Sequence, residues 1–148
     1  MVSAGNIDSM VAHYTVAKRK RHDDAYTAGG KNGRRPDRAV TVYCNIIRKL
    51  YPDSPIIIGG LEASLRRFAH YDYWDDKIRR SILFDSRASI LMYGMGEKQI
   101  VRIADKLRDG VPVNEITDIP GTCYISSEYD EQNSVLIPSY EECIESKS

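Results

Sequence analysis

The densest run of chemically able side chains is residues 64–80, SLRRFAHYDYWDDKIRR, where guanidinium, carboxylate, imidazole and aromatic groups crowd together. Arg66, Arg67, Arg79 and Arg80 each carry a fork that matches two oxygens of a phosphate or carboxylate at once. Asp72, Asp75 and Asp76 can neutralise those forks internally, and an Arg–Asp network that fixes a long loop needs the same residue types. Both readings stay open, and Arg66, Arg67, His70, Asp72, Trp74 and Asp75 form a candidate ligand-binding set.

A second cluster, RKRHDDAYTAGGKNGRRPDRA at 19–39, places His22, Asp23, Asp24 and Tyr26 in a long glycine-containing loop, and such loops are often functional. His22 beside two carboxylates has the composition of a metal site, but neighbours in sequence rarely face one ion and no third ligand stands at a metal-binding spacing. No metal site is expected. His22 and His70 have the right type for acid–base work beside an aspartate; a hydrogen-bonded structural role is the simpler expectation for both.

Two glycine loops complete the set. IIIGGLEAS at 56–64 contributes Gly59, Gly60 and Glu62, and LMYGMGE at 91–97 contributes Gly94, Gly96 and Glu97. Each is an apolar run that ends in glycines and turns toward a helix. In an open parallel sheet that is where ligands bind, because backbone amides and helix N-termini converge beyond the carboxyl ends of the strands. Neither loop is a G-x-G-x-x-G or a P-loop, and tight strand-to-helix packing asks for the same glycines.

The elements that must position these residues follow from periodicity. Residues 55–58 and 89–93 are short, continuous apolar runs that end in glycine, the pattern of buried strands. A helix is predicted from Asp37, with Val40, Tyr43, Ile46, Ile47 and Leu50 on one face and a stop at Pro52 and Asp53. A second is predicted over 75–83 from Ile78, Ile82 and Leu83. A third starts at Glu97, lined by Ile100, Ile103, Ala104 and Leu107 and capped by Gly110. Residues 1–5 read as the tail of a strand and 6–10 as the turn after it, so the chain is expected to open in mid-fold. Residues 122–126 and 135–137 read as two strands around EYDEQN, followed by a short helix from Tyr140.

Strands separated by helical crossovers imply a parallel sheet covered on both faces. The predicted fold is α/β, with an open, mostly parallel sheet of Rossmann-like type, truncated at its N-terminus and extended at its C-terminus by a β-hairpin. Residues 1–120 are assigned to the α/β unit and 121–148 to the extension.

Composition excludes several classes. The chain has 148 residues, 42% hydrophobic and 28% charged, the balance of a packed globular domain. It holds no run approaching the roughly 20 apolar residues that span a bilayer, and MVSAGNIDSM lacks the pattern of a signal peptide. Cys44, Cys123 and Cys143, odd in number and far apart, suit reduced thiols in a cytoplasm, and no membrane partner is expected. Net charge is zero but uneven: residues 17–38 hold eight Lys or Arg against three Asp, and residues 109–148 hold nine Asp or Glu against Lys147. A basic segment of this kind attracts phosphate or RNA, or is a solvated face.

The strings GNIDSM, RHDDAYT, RRPDRA, IIIGGLEASLRRFAHYDYWDDKIRRSILFDS and LMYGMGE together resemble the YgiQ-like radical SAM proteins, an uncharacterised bacterial family. The likeness covers most of 4–97 and continues through GTCYI and LIPSYEE. It implies a long protein in which an α/β domain precedes a radical SAM barrel with a CxxxCxxC loop for a 4Fe–4S cluster, and S-adenosylmethionine as cosubstrate. None of the three cysteines matches that loop. Gly59, Gly60, Gly94, Gly96 and Glu97 also resemble the glycine loops of cobalamin-binding domains, without the histidine motif that ligates cobalt.

The reading that follows is an accessory domain that shapes the substrate or cofactor end of a radical SAM active site and is inactive alone, with the barrel as its partner. The alternatives are an RNA- or phosphate-binding module built on residues 18–38 and a purely structural docking domain. A sheet cut at one edge is also expected to self-associate.

Overall fold

The computed structural model describes residues 1–5 and 7–146. In chain order its elements are α1 (Ser9–His13), α2 (Ala39–Leu50), β1 (Ile57–Ile58), α3 (Leu61–Leu65), β2 (His70–Asp72), β3 (Lys77–Arg79), α4 (Ile82–Ser86), β4 (Ile90–Met92), α5 (Glu97–Arg108), β5 (Thr122–Cys123) and α6 (Tyr140–Glu145). The fold is α/β.

The two apolar runs become the middle of the main sheet. β1 pairs in parallel with β4, Ile57 opposite Ile90 and Ile58 opposite Leu91. Val2 joins the free side of β1 as a parallel bridge to Ile58, with its N–H donating to Ile57 O at 2.8 Å and its carbonyl accepting from Gly59 N at 3.1 Å. The strand-like reading of the first residues therefore holds at Val2. β5 closes the other side antiparallel to β4, so the sheet is small and mixed, in the order β1-β4-β5, not mostly parallel.

Period-two alternation sends these strands into two cores. Ile56, Ile58 and Leu91 pack with Val40, Cys44, Ile82 and Leu83 under α2 and α4. Ile57, Ile90 and Met92 pack with Ile103, Ile116 and Ile119 under α5 and the segment after it. Covering on both faces is why the strands read as unbroken apolar runs. Each such side chain, once buried, contributes about 1.5–3 kcal/mol.

α2 follows the expected span, with Arg48 and Lys49 in its last turn complementing the helix dipole. Its buried face is turned from the expected one. Val40 and Cys44 are fully buried, while Ile46 and Leu50 are 51% and 65% exposed, because the helix packs on α4 along the Val40–Cys44–Ile47 side. α5 also has its expected span, ending at a left-handed Gly110. Ile103 is its buried residue, Ile100 and Leu107 pack partly beside it, and Ala104 is exposed.

Three expectations are corrected. The helix predicted over 75–83 is the antiparallel hairpin β2–β3, with His70 opposite Arg79 and Asp72 opposite Lys77. The Asp72 carboxylate accepts from the N–H groups of Trp74 (2.9 Å) and Asp75 (3.3 Å), and Asp76 takes a left-handed φ of 51°, which no helix passes through. The helical period of Ile78, Ile82 and Leu83 is used only from Ser81, whose hydroxyl caps α4.

The C-terminal hairpin also does not form. Thr122–Cys123 pairs with β4 instead, and Val135 and Leu136 stand 90% and 75% exposed. Between them Asp130 folds a local turn by accepting from Gln132 and Asn133 N–H groups, and a lone two-stranded hairpin with no face to bury is marginal in water. The short helix after it does form, closed by a capping box between Ser139 and Glu142. Finally, the turn expected over 6–10 starts at Asn6, outside the described residues, as does Lys147. Ser9 and Met10, placed in that turn, open α1, which Asp8 caps by accepting from Met10 and Val11 N–H groups.

One glycine has a clear steric duty. Gly60 has φ of 85° and ψ of 177°, and a Cβ there would stand 2.6 Å from Ser3 Oγ. Gly60→Ala is expected to cost about 2 kcal/mol, read as a lower urea midpoint with an unchanged slope.

Candidate functional site

Val2, β1 and β4 run the same way, so their carboxyl ends open on one side of the sheet. The chain leaves them into 3–5, 59–62 and 93–97, and α1, α3 and the hairpin β2–β3 build a polar layer there. The two glycine loops are neighbours in it. The Met92 methyl group lies 3.6 Å from where a Cβ on Gly59 would stand and 3.5 Å from one on Gly96.

Inside the layer, the predicted ligand residues mostly hold one another. Glu62 is 1% exposed. Its Oε2 accepts from Ser9 N at 2.6 Å, and its Oε1 lies 3.5 Å from Arg66 Nη1. Arg66 also donates to Asp8, the cap of α1, and Ser9 Oγ accepts from Ala39 N at 3.1 Å at the start of α2. One buried carboxylate thus ties α1 to α3.

Asp72 is the second tie. Its Oδ2 accepts from Arg38 Nη2 at 2.7 Å and lies 2.7 Å from Arg79 Nε. Asp75 bonds both guanidiniums, Arg38 at 3.0 Å and Arg79 more closely. Burial pushes the Asp72 carboxyl up, but hydrogen bonds from Arg38 and the turn N–H groups outweigh it and bring the pKa to about 2. Desolvation lowers the His70 pKa, and its Nδ1 faces Phe68 O at 3.0 Å. A small polar cavity lies between Glu62, Arg66, His70, Asp72 and Arg79.

A third tie involves a histidine that sequence reasoning missed. His13, 2% exposed, has Nδ1 2.7 Å from Asp37 Oδ1 and Nε2 3.6 Å from Asp24 Oδ2. Asp24, also buried, takes both Nε (2.8 Å) and Nη2 (3.0 Å) of Arg35. Ser9 and His13 stand four residues apart behind the Asp8 cap, and that i, i+4 pattern was the available signal. By contrast His22 and Asp23 are exposed, so the loop set does not converge: Asp24 turns inward and Tyr26 lies over Arg35, 5.3 Å from guanidinium to ring centroid.

The remaining candidates are spread out. Arg67 donates to Ser64 O and lies over the rings of Phe68 and Tyr93, and Arg80 reaches α6 at Tyr140 and Glu141. Glu97 is exposed at the head of α5. Trp74, at the hairpin tip, meets Tyr73 edge-on (centroids 5.4 Å apart) and Tyr14 at 5.5 Å. Tyr73 donates to Val16 O and Lys18 to Trp74 O, which clips the tip to the basic loop.

That contact shapes an open groove of about 370 Å³ with Tyr14, Tyr71, Tyr73 and Trp74 on its walls and Arg21 and Arg66 among its charged residues. A second groove of about 360 Å³, lined in part by Tyr26 and Ala25, shares Asp8, Val11 and Arg21 with it. The glycine loops line neither, so the aromatic groove is a site that the loop argument did not reach. Among the described residues, no helix is long and apolar enough to cross a membrane.

A UPF0313 protein of Clostridium botulinum (strain Okra / Type B1) is 59% identical to this chain over 143 residues, covering 96% of the chain and 22% of the relative. A UPF0313 protein of Clostridium perfringens (strain ATCC 13124) is 57% identical over 144 residues with the same coverage of each. The chain spans 22% of the length of these relatives. No solved structure matches it. The model of the family described as Radical SAM N-terminal matches residues 1–148, and the chain belongs to that family.

Proposed function

We propose that this chain acts as the N-terminal accessory domain of a radical SAM enzyme, its polar layer beyond the strand ends forming one wall of a substrate cavity that the barrel completes. The observation that carries this reading is the family match over the whole chain beside relatives of which it spans 22%. In this reading residues 1–120 are the wall and 121–148 lead toward the barrel.

The family implies S-adenosylmethionine and a 4Fe–4S cluster for the full-length protein, and the residues present do not fit that cluster. Cys44 is buried in the core, where burial pushes its thiol up to about 11, and burial raises Cys123 as well. Cys143 lies on α6. Among the described residues no three His, Cys, Asp or Glu side chains are grouped to hold a metal. No step of radical chemistry is assigned to these residues.

We read the sheet as a Rossmann-like platform because Val2, β1 and β4 are parallel and bend at glycines on one side. A cobalamin-type ligand is no part of the proposal. Gly60 already faces Ser3, and Gly59 faces Met1 and Met92, so close packing accounts for these glycines. Nor do the buried ties by themselves favour a purely structural role, since the same layer carries the open aromatic groove.

The test compares a full-length protein carrying this sequence with the 148-residue chain, both reconstituted anaerobically with iron and sulfide. The full-length protein is expected to hold the cluster and cleave S-adenosylmethionine, and the chain alone to do neither. Cleavage by the chain alone would sink the proposal.

A further inference from the structure

The geometry points to a nucleotide site in the groove between α1 and the tip of hairpin β2–β3, the base stacked on the tyrosine and tryptophan rings and the phosphate on Arg21. Its place in a substrate cavity rests on the accessory-domain reading; the binding itself does not.

The rings are held in place before any ligand arrives. Asp72 accepts from its guanidiniums, strand alternation turns its neighbour Tyr71 outward, and Tyr73 opens the turn that follows; the two tyrosines are 50% and 45% exposed. Trp74 is braced edge-on by Tyr73 and by the tilted ring of Tyr14. Exposed aromatic rings fixed at a concave surface are what a nucleobase stacks on, with little ordering cost.

Arg21 supplies the anion contact. Its Nε donates to Val11 O and Tyr14 O, both at 3.1 Å, and this pins the guanidinium where the two grooves meet. Its terminal nitrogens have no partner among the described residues. A pinned fork with two unused donors suits a phosphate better than the flexible end of a lysine.

Charge complementarity selects the ligand. Of the bases in residues 17–38, Arg35 is bound to Asp24 and Arg38 to Asp72 and Asp75, while Asp37 is taken by His13 and Tyr14. Lys18, Arg19, Lys20, Arg21, Lys31 and Arg34 remain on the surface against Asp23 alone. The basic segment therefore splits into inner ties and an outer rim; from that rim Arg21 lines the aromatic groove and Lys18 lies over Tyr73, while the groove's carboxylates, Asp8 and Asp72, are already held by Arg66, Arg38 and Arg79. Aromatic platform and cationic rim together match a base with its phosphate, whether as a free nucleotide or within a single strand of RNA.

Trp74 is the only tryptophan of the chain, so its fluorescence reports on the groove directly. The 148-residue chain is titrated with AMP, with adenosine, and with a short single-stranded oligoribonucleotide. Saturable quenching is expected with a phosphate-bearing probe, and adenosine should bind about tenfold more weakly, as the loss of one charge-assisted contact implies. Tyr71→Ala should weaken binding about tenfold. Arg21→Gln should reduce the salt dependence as well as the affinity.

Quenching by AMP alone identifies a free nucleotide as the ligand, and quenching by the oligonucleotide, with or without AMP, identifies an RNA strand. Either result supports the site. No quenching by any probe in a chain whose near-ultraviolet circular dichroism is native overturns it, as does binding that both variants leave unchanged. Full-length cleavage of S-adenosylmethionine beside a groove that binds no nucleotide would remove this inference and leave the accessory-domain reading standing. Nucleotide binding beside a full-length protein that takes up no cluster would do the reverse.

Discussion

Asp72→Ala is expected to lower the stability of the folded chain by on the order of 3 kcal/mol, the range found when one partner of a buried ion pair is removed. The carboxylate is 4% exposed, and it is the meeting point of Arg38 and Arg79 and the acceptor of the Trp74 and Asp75 N–H groups. Alanine leaves the two guanidiniums with only the more exposed Asp75 as a shared partner and removes the acceptors that fold the hairpin turn. Asp72→Asn keeps acceptor oxygen for the turn and loses only charge, so it should cost less. Urea midpoints of the two variants against the parent chain make the comparison.

The same residue predicts an acid limb. Its folded pKa of about 2 lies below the ordinary carboxylate value of 3.8. Its contribution is therefore full above pH 4 and is lost as pH falls through 2. The Asp72→Asn variant should lack that part of the acid sensitivity. An equally steep acid limb in the variant would assign it to other carboxylates.

Glu62→Ala should cost about as much, again on the order of 3 kcal/mol, because Ser9 N and Arg66 lose their buried partner together. Sequence alone placed Glu62 among candidate ligand residues; the structure places it 1% exposed between α1 and α3. The expected signature is a stability defect in which AMP affinity of the folded fraction stays at the parent value. Glu62→Gln, which can still accept from Ser9 N, should lose about 1 kcal/mol. A folded Glu62→Ala variant with parental stability and lost affinity would return the residue to the ligand set.

The contrast between these residues and the groove shows what was legible in the sequence. α2, α5 and the buried strands were readable because their signal is local: a helical period in Val40 and Ile47 or Ile100 and Ile103, an unbroken apolar run at 56–58 and 90–92, a glycine past the last helical residue. The hairpin β2–β3 was misread as a helix because Ile78 and Ile82 keep helical time while the deciding force is one side chain, Asp72, bonding to backbone two and three residues on. α1 was missed because five residues hold as a helix only with the Asp8 cap and the tertiary bond from Ser9 to Glu62.

The site was half legible for a related reason. Residue types identified the Arg and Asp cluster, but whether a guanidinium faces a ligand or a neighbour depends on distances that spacing does not encode. Arg66, Asp72 and Asp75 hold neighbouring side chains, while Arg21, named from sequence only within the basic 18–38 segment for RNA or phosphate, lines the groove beside the aromatic rings. The groove itself joins Tyr14 and Arg21 to residues 66–74, far along the chain, as the bond from Tyr73 to Val16 across 57 residues illustrates. No window along the chain contains both walls.

The most direct test of the central claim, that the layer beyond the strand ends faces a barrel which supplies the chemistry, is amide hydrogen exchange compared between the 148-residue chain and a full-length protein carrying it. Slower exchange in the full-length protein is expected at 59–62, 70–76 and 94–97, with the exposed surface of α5 unchanged. Protection confined to α5, with those three segments exchanging at the rate of the isolated chain, would contradict it.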